Sequence, residues 1–185
     1  MEAAVSWITL LLAYRFKHTI ADFWLQLPFK YMYGKFKPGW DYIPPLALHC
    51  FIHAVMSFGI TYTYLILNPN VIPFNLSLFL PIPYEWHGSV IAYANCMMVF
   101  DFVVHFIMDR IKASPKLLGK YGTLTKNDWI HISDILADPR KKNTNEEKQA
   151  KKRLRENFIF WNALDLDQSV HSITHYVIIF CLLAG

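Results

Sequence analysis

Long apolar runs, each interrupted by a few polar positions at regular intervals, divide the chain into four segments. The first extends from about Ala3 to Leu27, and its charged and histidine positions, Arg15, Lys17, His18 and Asp22, lie in its second half with Gln26, before Pro28 stops or kinks it. The second runs from Leu46 to Leu67, the third from about Gly88 to Lys112, and the fourth from about Phe158 to Ala184. At about 1.5 Å per residue, each is long enough to cross a hydrocarbon core of about 30 Å. The pattern predicts an all-α, polytopic membrane four-helix bundle. Residues 1–185 form a single membrane domain with helices about 3–27, 46–67, 88–112 and 158–184, and residues 113–157 form a cytoplasmic polar insertion. The first run lacks a basic leader and a small-residue cleavage site, so it is expected to remain as the first membrane helix rather than a signal peptide.

Composition agrees with this division. Hydrophobic residues make up 54% of the chain and charged residues only 17%, against about 25% in a typical soluble domain. Thirteen of the 18 Lys and Arg lie between Arg110 and Arg155, and none lies between Asn68 and Gly88. Positively charged loops stay cytoplasmic. The links 28–45 and 113–157 are therefore expected inside, with both termini outside the cytoplasm. Link 68–87 carries Pro69, Pro73, Pro81 and Pro83 among apolar residues, which predicts a segment in the interface or folded over the helices. The stretch Asn145–Asn157 reads as a charged helix with Glu147 and Lys151 one turn apart. The basic region suits anionic lipid headgroups, and it has no nucleic-acid-binding motif. Cys50, Cys96 and Cys181 lie in apolar runs without metal-ligand spacing and are expected as reduced core residues.

The membrane segments also contain residues that lipid excludes. His18, Asp22 and Gln26 follow one another at steps of four, as do His49 and His53, and Asp101, His105 and Asp109 with Lys112 three further on. Asp167, His171 and His175 repeat the step, with Gln168 beside Asp167. Steps of four keep side chains on one helix face. An ionisable group at bilayer depth costs several kcal/mol and normally faces the bundle interior with a partner, so the four stripes are expected to face one another. The charge-derived orientation brings them to a similar depth near the cytoplasmic face. Imidazole and carboxylate together suit Zn, Mn or Fe, and the eight candidate metal ligands are His18, Asp22, His49, His53, His105, Asp109, Asp167 and His171. That number suits two ions, or one ion with carboxylates supporting its ligands. Asp101 and His175, a turn deeper, are candidates for the supporting role. His87 and His131 are read as loop residues outside the site.

Arg15 precedes His18 by three residues and is expected to pair with Asp22 or Asp101, or to clamp an anionic substrate group. Gln26, Lys30, Lys112 and Gln168 are further substrate-binding candidates.

The blocks His18-x-x-x-Asp22-Phe-x-Leu-Gln26, His49-x-x-x-His53, His105-x-x-x-Asp109-Arg-x-Lys112 and Leu166-Asp167-Gln168-x-x-His171, with Lys30 after the first, occur in an order that resembles a family of small bacterial and phage inner-membrane proteins of unknown function. The resemblance covers the four apolar segments, and the 113–157 region is similar to that of the phage members. It implies a multi-pass protein of the bacterial inner membrane, possessing no activity that transfers with the motif. More distantly, the site type is similar to inner-membrane metal-dependent hydrolases.

The expected function is a metal-dependent hydrolase acting on a lipid or lipid-linked phosphate or ester, with Asp22 or Asp109 as the catalytic carboxylate that takes a proton from metal-bound water. Two alternatives remain at this stage. One is a transporter or channel for metal ions or protons, which needs polar residues through the full depth of the membrane. The other is a non-enzymatic phage or bacterial membrane protein that binds a host protein partner through its basic region.

Overall fold

The computed structural model describes residues 2–25, 35, 40–69, 71, 89–114 and 116–183, and every regular element among them is helical. Helix α1 spans Glu2–Thr19 and passes into a π-helical turn, Ile20–Trp24, closed by the Leu25 amide on the Ile20 carbonyl at 2.9 Å. Helix α2 is Ile43–Leu67, α3 is Val90–Ala113, α4 is Lys126–Ala137 and α5 is Asn145–Leu183.

Local chemistry accounts for most boundaries. Pro44 and Pro45 lie inside the first turn of α2 instead of preceding it, because amides there have no intrahelical acceptor to lose. Ser89 caps α3 by accepting from the Ala92 amide. Thr125 and Asp128 form a reciprocal capping box on α4, in which the Thr125 hydroxyl and amide hold the Asp128 carboxyl below its ordinary range.

The fourth apolar segment and the charged helix before it form one helix of 39 residues, about 58 Å long. No Pro or Gly occurs between Asn145 and Leu183, so nothing breaks the backbone where the composition changes. The Glu147–Lys151 pair closes at 2.6 Å on its charged end. That end holds α4 through a small apolar cluster of Leu124, Ile132, Ile135 and Ala150, with Leu154 packed on it. Asn157 anchors the approach to α4 by accepting from the Leu124 amide at 3.0 Å. The insertion is therefore a folded appendage of α5. His131 belongs to α4 and is exposed, rather than lying in a loop.

Three helices, α2, α3 and α5, are long and apolar enough to cross a membrane. Helix α1 has 18 residues and carries Glu2, Arg15 and Lys17, so the first apolar run of the sequence yields a shorter α-helix than expected. The helices that pack along one another are α1 with α2, α2 with α3, α3 with α5, and α5 with α1. One end of this arrangement is mainly apolar, with Leu10, Tyr14, Leu65, Tyr93, Met97, Ile178, Ile179 and Leu182 buried together. These residues come from the middle of α1, the beginning of α3 and the ends of α2 and α5, while the polar residues come from the end of α1, the start of α2, the end of α3 and the middle of α5, so neighbouring helices run in opposite directions. The opposite end collects the histidines and aspartates. Cys50, Cys96 and Cys181 are unpaired thiols, as expected. Link 68–87 lies outside the described residues apart from Asn68, Pro69 and Val71.

Replacing Ile132 by Ala should cost about 2–3 kcal/mol of local stability, because it leaves a void in a small cluster. Amide hydrogen exchange should accelerate over residues 126–137 while α2 and α3 keep their protection; unchanged exchange in α4 would show that it is not held by this contact.

Candidate metal centre

The site is built where the end of α1, the start of α2, the end of α3 and the middle of α5 converge. Helical steps of four place His18, His49 and His53, His105 and Asp109, and Asp167 and His171 on the inward faces, and all seven are buried. Asp22 lies on the π-helical turn and is partly buried. The π turn widens the helix one step beyond His18, and the two side chains still meet, with His18 Nε2 at 3.0 Å from Asp22 Oδ2.

All eight residues proposed as ligands from the sequence are linked in one network. Asp22 Oδ1 lies 3.1 Å from His53 Nε2 and 3.4 Å from His49 Nε2. His49 Nε2 also reaches Asp109 Oδ2 at 3.0 Å. Asp109 Oδ1 is 3.8 Å from His171 Nε2, which sits 3.2 Å from Asp167 Oδ1. The rings of His105 and His171 stack with centroids 4.0 Å apart, and those of His53 and His105 lie 4.2 Å apart. His18 faces His171 at 5.2 Å and His53 at 5.4 Å.

The hydrogen bonds assign the imidazole tautomers. A carboxylate or carbonyl oxygen can only accept, so the ring nitrogen facing it carries the proton. His53 turns Nε2 toward Asp22, and His18 turns Nε2 toward both Asp22 and Gln168 Oε1, whereas His171 Nε2 lies 3.2 Å from Asp167 Oδ1 without a hydrogen bond between them. His105 donates from Nδ1 to the Asp101 backbone carbonyl at 3.0 Å. The opposite nitrogens, Nδ1 of His18, His53 and His171 and Nε2 of His105, are buried and have no hydrogen-bond partner. His18, His53 and His105, from three helices, thus each turn a ring nitrogen without a hydrogen-bond partner into the interior, and His171 does so from a fourth. Metal-bound histidines have this arrangement, with the far N–H fixed by a carboxylate or carbonyl. His18, His53 and His105 each offer a ring nitrogen within 4.8 Å of the others. The same limit is met by Asp22 with His49 and His53, by Asp101 with His105 and His175, and by Asp109 with Asp167 and His171. These buried groups could hold a metal ion.

The remaining candidates divide. Lys112 joins the site: Nζ donates to Asp167 Oδ2 at 2.6 Å and lies 3.2 Å from Asp109 Oδ1. Gln168 also joins, with Oε1 at 3.1 Å from His18 Nε2 and its amide donating to Asp167 Oδ2 at 3.2 Å. Gln26, Lys30 and His87 lie outside the described residues.

Arg15 is exposed and pairs with neither Asp22 nor Asp101. The cation on Asp101 is Lys17, whose Nζ donates to Oδ2 at 2.6 Å, both side chains being fully buried. Ser57 donates to the same oxygen at 2.8 Å, and His175 Nε2 lies 3.3 Å from the ammonium. The sequence reading missed Lys17. Leu10, Tyr14 and Lys17 follow one another at steps of four and three, the spacing of a buried stripe, whereas Arg15 lies about 60° beyond His18 around the helix. That spacing was an available signal.

Lys17→Met should destabilise the protein by about 3–5 kcal/mol, because it leaves the Asp101 carboxylate buried without its cation. Combining it with Asp101→Leu should recover most of the loss in thermal unfolding in detergent. A double variant no more stable than the single would rule out the pair as the origin of the effect.

The chain matches no protein-family model, no curated protein and no solved structure, so the reading of this centre rests on its own geometry.

Proposed function

We propose that the chain is a multi-pass membrane protein in which α1 joins α2, α3 and α5 as a spanning helix, residues 113–157 face the cytoplasm, and the histidine cluster holds a divalent transition-metal ion that serves hydrolytic chemistry. The observation carrying this reading is the set of three buried imidazole nitrogens, on His18, His53 and His105, that lack hydrogen-bond partners while their rings are fixed from the far side. A buried polar atom left unpaired costs free energy, and one cation coordinated by these lone pairs relieves several such costs together. Imidazole ligands suit Zn or Fe, and the surrounding carboxylates extend the choice to Mn.

His18, His53 and His105 are the proposed primary ligands, with His171 adjacent. Asp22 and Asp101 fix their rings, a role that raises ligand basicity. Held by these residues, a divalent ion would supply Lewis-acid activation of water. Asp22 is the proposed proton acceptor, because its carboxylate is the most exposed of the site's aspartates while touching three of the histidines. Asp109 is buried between His49, Lys112 and His171 and serves better to position them. The Lys112 ammonium lies between Asp109 and Asp167, where a second ion would sit, which favours one resident ion over two.

The apolar packing of Leu65, Met97, Ile178 and Leu182 at the far end offers an ion few ligands, which favours a closed reaction site over a transport path.

Elemental analysis of the purified protein should find about one equivalent of Zn, Mn or Fe. His53→Ala or His105→Ala should abolish its retention, and Asp22→Asn should weaken affinity by about 10–100-fold. Absence of a transition metal from protein purified under metal-replete conditions would refute the proposal.

Lys112→Met should open the Asp109–Asp167–His171 group and raise the metal content toward two equivalents. A content that stays at one would show that this group is no latent ion site.

A further inference from the structure

The imidazole cluster is accessible from one side. A cleft of about 390 Å³ lies between α1 and α5, with His18 and His171 in its lining and exposed Leu12, Arg15 and Tyr176 at its rim. The surrounding surface is apolar: Val5, Ile8, Leu12 and Phe16 on α1, and Ile173, Val177 and Phe180 on α5, are all exposed. In the membrane orientation proposed above, this surface meets acyl chains, so the cleft opens sideways into lipid.

Arg15 is out of place on such a surface. Among the described residues, no acidic side chain forms an ion pair with it, and on α5 the one carboxylate beyond Leu166, Asp167, is buried and already bound by Lys112. An arginine at membrane depth needs an anionic or polar partner, and its planar fork matches a phosphate diester in two parallel hydrogen bonds. Arg15 and His18 are neighbours one helical turn apart, with about 5–6 Å between their Cβ atoms. A phosphate gripped by Arg15 therefore lies beside the imidazole cluster, and its chains can follow the apolar rim.

We propose that the α1–α5 cleft is a lateral binding site for an anionic phospholipid of the bilayer, with its phosphate on Arg15 beside His18 and His171 and its chains along the apolar rim. As a substrate assignment this rests on the metal-centre reading; as a binding site it does not, and the two fail separately.

The test uses the full-length protein in phosphatidylcholine nanodiscs containing a small fraction of phosphatidylglycerol with a photoactivatable acyl chain, or the same probe on phosphatidylcholine. The glycerol lipid should label peptides covering Leu11–His18 and Ser172–Tyr176 in preference to other helices, and to a greater extent than the choline lipid. Arg15→Gln should lower that labelling by about tenfold, the loss expected when one charge-assisted pair is removed, with bound metal and thermal midpoint unchanged. If this variant fails to fold, Leu12→Trp, which fills the rim, should produce the same loss. Equal labelling by the two lipids, labelling spread evenly over the helices, or labelling insensitive to Arg15→Gln or, where that variant does not fold, to Leu12→Trp would overturn the proposal. Selective labelling of metal-free protein would uphold the lipid site while removing the metal centre; bound metal without selective labelling would do the reverse.

Discussion

Four aspartates have been taken out of water, and the polar end of the molecule is arranged around keeping each of them paired. Asp22, Asp101, Asp109 and Asp167 each meet a partner from another helix: His53 and His49 on Asp22, Lys17 and Ser57 on Asp101, His49 on Asp109, and Lys112 on Asp167. Such contacts add little net stability, because desolvation offsets the Coulombic gain, yet breaking one is costly. Their effect is on specificity. Rotating any of the helices would strand a charge, so the carboxylates set the rotational register of α1, α2, α3 and α5, while the apolar packing at the other end tolerates more variation.

This division into two ends makes a polar cluster compatible with a helical interior. The apolar end, packed around Tyr14, Tyr93 and Ile178, carries the side-chain packing. At the polar end the same backbone geometry holds imidazoles in contact, with His105 stacked on His171 and close to His53. Asp22 fixes the far nitrogens of His18 and His53 and a backbone carbonyl fixes that of His105, and the inward-turned nitrogens of these three rings follow from that. Preorganisation of this kind lets a cluster bind an ion without first paying to reorient its ligands. Lys17 and Lys112 bracket the cluster above and below, so the positive charge supplied by the chain lies at its edges and the imidazoles lie between.

The long helix α5 connects the site to the basic region. Its outer third carries α4 through Ile132, Ile135, Ala150 and Leu154, and its middle supplies Asp167 and His171. The backbone between the charged end and the centre is one uninterrupted helix.

Much of this was legible in the sequence. Steps of four along each apolar run identified the inward faces, because helical geometry places such residues on one side whatever surrounds them. The charge distribution separated the basic insertion from the apolar runs, but the change in composition suggested a break near Phe158 where the structure has one continuous α5; the lack of Pro and Gly between Asn145 and Leu183 was the signal against that break. Tertiary structure decided what periodicity leaves open. It selected Lys17 over Arg15 as the partner of Asp101, since the angular position of a neighbouring helix, not spacing within one helix, determines which of two nearby cations is buried. It turned particular ring nitrogens inward, since that depends on which oxygen lies on the far side of each ring. It also left the cleft between α1 and α5, which belongs to two helix surfaces at once and so has no signature in either alone.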